Sequence, residues 1–134
     1  MKTTGSLALD TSIVVRHLRT ADPELAAELS AATELYLPLM ALGELRYGVR
    51  HSGQQRAAEQ LERFLREVII LHPDEATAEA YAGLKHHVTL KGKPIPENDL
   101  WIAATARSHD LTLYCRDAHF DELTSEMSIW QALV

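Results

Sequence analysis

Short apolar runs alternate with longer periodic stretches along this chain. Leu7-Ala8-Leu9 is an apolar run that ends at Asp10, and it reads as a buried strand. Asp10-Thr11-Ser12 then offers helix-capping side chains, with Ile13, Val14, His17 and Leu18 following at helical spacing. Asp22-Pro23-Glu24 predicts a second helix start: a cap, a proline at the first helical position and an acid in the first turn. Leu35-Tyr36-Leu37, before Pro38, predicts a second strand. A helix follows from Leu39 to Val49, and Gly53 interrupts the pattern. Gln54 to Val68 resumes it as a strongly amphipathic helix through Ala57, Ala58, Leu61, Phe64 and Leu65.

Val68-Ile69-Ile70-Leu71 is β-branched and ends at Pro73, which predicts a third strand. Asp74-Glu75 opens a long helix with Ala78, Tyr81, Ala82 and Leu84 on it. A basic loop, Lys91-Gly92-Lys93-Pro94, leads to Pro96-Glu97-Asn98-Asp99 and an apolar run, a helix expected to reach about His109. Leu111 to Cys115 predicts a fourth strand, and Ser128-Ile129-Trp130 a short last one. This alternation predicts an α/β fold, a central parallel sheet of four to five strands with helices on both faces. Residues 1–134 read as a single domain, with no internal repeat, linker or low-complexity stretch.

Composition narrows the class. The chain is 46% apolar and 24% charged, ordinary for a soluble globular protein. No apolar run approaches the roughly 20 residues needed to span a bilayer. Met1–Ser6 lacks a long apolar core and a cleavage site, so no secretory signal is expected. The single cysteine, Cys115, excludes an internal disulfide and a Cys-rich zinc site, and a reducing cytoplasmic home is the default. A net charge of −6 argues against a generic nucleic-acid coat. It leaves room for a nuclease whose acidic centre is loaded with cations.

The candidate chemistry lies in four carboxylates. Asp10 and Asp117 follow apolar strands, at the edge where open parallel sheets bind ligands. Asp99 opens a helix and has Ile102 and Ala103 as its i+3 and i+4 neighbours, so it lies on the stripe that packs. Glu44 has Met40, Ala41, Tyr47 and Gly48 as face-sharing neighbours, all apolar or small. If these acids converge they repel: two unit charges about 4 Å apart cost about 4 kcal/mol at an effective dielectric near 20. Some protonate, or a cation enters. Oxygen ligands without a cysteine or a histidine pair favour Mg²⁺ or Mn²⁺. Such an ion activates water and neutralises charge on a transferring phosphoryl group, so the chemistry implied is phosphodiester hydrolysis. Each acid also has a plainer reading: Asp10 and Asp99 as helix caps, Glu44 as a half-exposed helix residue, Asp117 as a turn residue. The seven histidines show no metal-binding spacing. His86-His87 is expected at the surface, and Trp101 in the core.

Four segments in order carry a resemblance: Leu9-Asp10-Thr11-Ser12, Ala41–Gly48 around Glu44, Ile95–Ala104 around Asp99, and Leu113–Phe120 around Asp117. Together they resemble PIN-domain ribonucleases of the VapC toxin type, from bacterial type II toxin–antitoxin systems. The resemblance implies a PIN-like three-layer sandwich with Asp10, Glu44, Asp99 and Asp117 around Mg²⁺ or Mn²⁺, Asp10 and Asp99 being the most direct ligands. It implies an endoribonuclease acting on RNA such as tRNA or rRNA, a VapB-like antitoxin that occludes the site, and a homodimer. Thr11 and Asn98 are candidate supports. Arg46, Lys93 and Arg116, with Arg50 and Lys91, are candidate phosphate contacts. One departure is Cys115, two residues before Asp117, where the family usually carries Ser or Thr; a thiol is the weaker hydrogen-bond donor. The alternative from another class is a non-catalytic α/β module whose acidic pocket holds a basic partner segment. A receiver-like version fails on sequence, since no adjacent acidic pair follows strand one and no lysine follows a late strand.

Overall fold

A computed structural model describes residues 5–132. Most of the N-terminal segment read as lacking a signal lies outside them. The elements in chain order are β1 (Leu7–Leu9), α1 (Thr11–Arg19), α2 (Pro23–Ala31), β2 (Leu35–Pro38), α3 (Leu39–Ser52), α4 (Gln55–Leu65), β3 (Ile69–Leu71), α5 (Glu75–Lys91), α6 (Glu97–Ser108), β4 (Thr112–Cys115), a 3-10 helix (Ala118–Leu123) and β5 (Ile129–Gln131). All five strands are parallel, in the order β3-β2-β1-β4-β5. The chain runs outward from β1 to β3, then returns to the other side of β1 as β4 and β5. The strand order therefore reverses between β1 and β4, and in open α/β sheets such a switch point, outside the carboxyl ends of the strands, is where ligands bind.

Local sequence accounts for most boundaries. Asp22 caps α2 by accepting from the Leu25 amide at 3.1 Å, with Pro23 next in line. Gly53 ends α3 with φ +65° and Gly92 ends α5 with φ +66°, a left-handed conformation that glycine adopts without a Cβ clash. Asp74 and Thr77 form a capping box at the start of α5. Several expected boundaries move: α3 runs on to Ser52 rather than ending at Val49, α4 stops at Leu65 rather than Val68, and β5 extends to Gln131.

The central strand β1 is fully buried, as is Leu113 on its neighbour β4. Helix α6 buries Leu100 and Ile102 through Ala106, nearly its whole circumference, against α5, α3, β4 and β2. Its alanines let those neighbours approach closely, so α6 sits in the core rather than presenting one stripe. Trp101, expected in the core, is only half-buried and stacks on Tyr81 of α5 with ring centroids 3.9 Å apart. His86 is exposed as expected, but His87 is half-buried and its Nε2 lies 3.0 Å from the Glu122 carbonyl oxygen.

The α5–α6 hairpin is also tied at its far end, where the Thr77 and Ser108 hydroxyls are 2.9 Å apart. Asp74→Ala removes the cap that orders this end of α5. It is expected to lower stability by about 1 kcal/mol in urea denaturation without changing the slope of the transition.

Candidate active site

Asp10 is where β1 becomes α1. Its backbone N–H donates to the Tyr114 carbonyl of β4 at 3.0 Å, which pins it beside the neighbouring strand end. Its carboxylate caps α1, accepting from the Ser12 amide at 3.3 Å and from the Ser12 hydroxyl. The same hydroxyl oxygen accepts from the Arg116 amide at 3.1 Å. Ser12 thus clamps Asp10 to the segment leading to Asp117. Asp10 is only 3% exposed. Burial pushes its carboxyl up to about 6, against the pull of the Ser12 hydrogen bonds, and the nearby Asp99 charge adds to the rise.

Asp99 is the third residue of α6. Pro96 holds the cap position before Glu97 and no side chain caps the helix, so Asp99 is not the capping residue that one reading allowed. Its side chain is 16% exposed. Burial raises its carboxyl first, then the charges of Asp117 and Glu44, while His119 opposes them. Asp117 caps the 3-10 helix by accepting from the His119 amide at 2.9 Å. Gln131 of β5 fixes that corner, donating to the Asp117 carbonyl at 2.9 Å and to Asp121 Oδ1 at 3.1 Å. Glu44 is exposed, not lodged on an apolar face: Ala41 is buried, but Tyr47 is open to solvent. The Thr11 hydroxyl holds Glu44 by a short hydrogen bond.

Asp10, Glu44, Asp99 and Asp117 therefore share one electrostatic field at the switch point. The tightest group within it is Asp99, Asp117 and His119, each offering one ligand atom, all within 4.8 Å of one another. His119 was not among the expected site residues. Its Nδ1 lies 3.1 Å from Asp117 Oδ1 and 3.4 Å from Asp99 Oδ2. Ser12 was also missed; Thr11, expected as a support of the acidic set, gives its hydroxyl to Glu44, and its backbone bonds to the Asp10 carboxylate. Asn98 is half-buried in the first turn of α6, beside Asp99. Cys115 is fully buried; burial pushes its thiol up to about 12, and it faces the Trp130 carbonyl oxygen at 3.8 Å.

The expected phosphate contacts divide. Arg46 pairs with Glu62 of α4 at 2.9 Å. It lies two residues beyond Glu44, and that spacing puts the two on different sides of α3. Lys91 pairs with Glu122 at 2.8 Å. Arg116 and Lys93 are exposed, Arg116 immediately before Asp117. The donor set suits a divalent cation: carboxylates raised by burial and by one another's charge repel when ionised, and a hard or borderline ion relieves that repulsion.

A PIN-domain sequence profile matches residues 7–125. The chain belongs to the PIN-domain family. This PIN domain is similar to ribonuclease VapC4 of Mycobacterium tuberculosis, 37% identical over 90 residues, which are 65% of this chain and 69% of that protein. Toxin FitB of Neisseria gonorrhoeae is 33% identical over 121 residues, 83% of this chain and 87% of that one. Among solved structures, VapBC-5 of Mycobacterium tuberculosis, a member of the VapBC family of toxin–antitoxin systems, matches with a TM-score of 0.76 at 26% identity. The match covers 98% of this chain and 100% of that one. The PIN profile spans all four candidate acids, and the five-stranded parallel sheet is the fold the resemblance implied.

The raised carboxyl of Asp10 sets a pH dependence. Its contribution to stability is complete below 3.8, the ordinary value, and is lost as pH rises through about 6. Each pH unit between those two values corresponds to about 1.4 kcal/mol, so the loss is on the order of 3 kcal/mol. In EDTA, the melting temperature should fall between about pH 4 and about pH 7, with the loss of unfolding free energy across that range on the order of 3 kcal/mol. Asp10→Asn should raise it at the upper end of that range and flatten the slope. A second expectation concerns the clamp. Ser12→Ala should fold normally by circular dichroism and move the fall to higher pH, because the hydrogen bonds that favour the charged carboxylate are weakened.

Proposed function

We propose that this PIN domain is a metal-dependent endoribonuclease toxin that hydrolyses RNA phosphodiester bonds in the cytoplasm and is neutralised by a VapB-like antitoxin. The observation that carries the proposal is the meeting of Asp10, Glu44, Asp99 and Asp117 at the sheet's switch point, in a chain whose relatives are named ribonucleases. Asp10 and Asp99 are the direct ligands of Mg²⁺ or Mn²⁺, with Asp117 and Glu44 completing the acidic set. A divalent ion bound there supplies Lewis-acid chemistry, acidifying water and neutralising charge on the phosphoryl group. Ser12 orients Asp10, Thr11 orients Glu44, and Gln131 fixes the Asp117 corner, so the acids are held in place before substrate arrives. Asn98 supports the first turn beside Asp99. Arg116 and Lys93, both exposed, are the candidates for contact with RNA phosphates; Arg46 is the weaker one because Glu62 already engages it.

The antitoxin reading rests on the solved VapBC relative and on one feature of this chain. A cleft of about 70 Å³, lined in part by Val15, Leu18, Leu45, Val49 and Leu61, opens beside Glu44. It gives a partner an apolar foothold next to the acids. A homodimer is proposed from the family resemblance, and sedimentation of the purified chain tests it.

Purified protein should cleave RNA with Mg²⁺ or Mn²⁺ and stop in EDTA. Asp10→Asn should lower cleavage at least about 100-fold while remaining folded. Equal cleavage by both proteins, or indifference to chelation, would sink the proposal and return the acidic pocket to a binding-module role.

A further inference from the structure

We infer that His119 is a nitrogen ligand of the metal, which makes this a mixed nitrogen–oxygen site that favours Mn²⁺ over Mg²⁺. The inference rests on the metal-dependent reading above and deepens it. Its starting point is the position of His119 Nδ1, 3.1 Å from Asp117 Oδ1 and 3.4 Å from Asp99 Oδ2. Adjacent ligands around one octahedral ion are separated by about 1.4 times the bond length. That is about 2.8 to 3.0 Å for Mg²⁺ and about 3.3 to 3.7 Å for the larger Ca²⁺. The Asp117 separation falls between these and the Asp99 separation at the lower edge of the Ca²⁺ range, and all three atoms lie within 4.8 Å of one another, so small side-chain movements would let one ion of intermediate size touch all three.

Backbone geometry supports the same role. Asp117 caps the 3-10 helix and accepts the His119 amide, so the two residues form one tight turn with both side chains directed to the same place. The opposite side is set by α6, whose buried body fixes Asp99. His119 is half-exposed, which leaves its ring free to settle onto an ion. The sequence contained no pair of histidines at ligand spacing, and the structure supplies the nitrogen from a single one. An imidazole nitrogen is a poor ligand for Mg²⁺, which takes oxygen, and a better one for later first-row ions.

Titration calorimetry with MnCl₂ or MgCl₂ alone, on the full chain without RNA, measures the preference. His119→Ala should weaken Mn²⁺ binding at least about 10-fold and Mg²⁺ binding about 3-fold or less. His119→Gln, which restores bulk with an oxygen donor, should behave like His119→Ala toward Mn²⁺. Pulsed electron paramagnetic resonance of bound Mn²⁺ gives a readout independent of any variant: the wild-type chain should show ¹⁴N coupling from one imidazole, and His119→Ala should lack it. Bound Mn²⁺ without nitrogen coupling overturns the inference, as does an equal loss of both ions. These outcomes are separate from RNA cleavage. A protein that cleaves RNA only with metal, yet shows no nitrogen coupling, keeps the nuclease reading and loses this one.

Discussion

A charge that burial opposes governs the arrangement of this molecule. Asp10 sits at the end of the central strand, almost wholly out of water, and Asp99 and its neighbours bring more negative charge to the same crevice. An isolated buried carboxylate is costly to ionise. Here the cost is divided among several devices. The Ser12 hydroxyl and amide bond to the charged form, the N-terminus of α1 adds its partial positive charge, and His119 faces Asp99 and Asp117. None removes the repulsion, since the carboxyls of Asp10 and Asp99 still stand above their ordinary range. What remains is uncompensated negative charge that a bound cation would relieve.

The scaffold around the crevice is rigid where that matters. The acids come from four places distant in sequence: the end of β1, the middle of α3, the start of α6 and the turn after β4. Parallel topology brings the first and last together, because β1 and β4 are hydrogen-bonded neighbours with Leu9 opposite Tyr114. Asp99 depends instead on α6, whose alanine-rich body packs on nearly all sides. Its first turn is fastened outside by the Glu97–Lys85 and Glu97–Tyr81 contacts and by the Tyr81–Trp101 stack. These contacts are exposed and individually weak, but together they restrain rotation of the helix that aims Asp99.

Much of this was legible in the sequence. Capping residues and glycines marked the helices, and apolar runs marked all five strands, because these signals are local. The four acids could be picked out because each follows a strand or sits on a helix with apolar neighbours. Glu44 shows the limit of periodicity. Its neighbours at i−4, i−3, i+3 and i+4 looked apolar, yet Tyr47 is open to solvent, and the contact that matters comes from Thr11, 33 residues away. Gln131 was invisible for the same reason, since its bonds to the Asp117 corner exist only after β5 has paired with β4.

Two missed residues are more instructive, because their signals were present. Thr11 and Ser12 are adjacent hydroxyls at a helix start, and residues one apart on a helix point about 100° apart. Their hydroxyls therefore serve different acids. Ser12, two residues on from Asp10, has the spacing of a side-chain turn and takes that carboxylate. Thr11 is thereby turned outward and reaches Glu44. His119 stands in the same relation to Asp117, and its own amide closes the same kind of turn. In each case a carboxylate at the end of a strand recruits the residue two positions later. That rule reads His119 as part of the site, where a search for paired histidines does not.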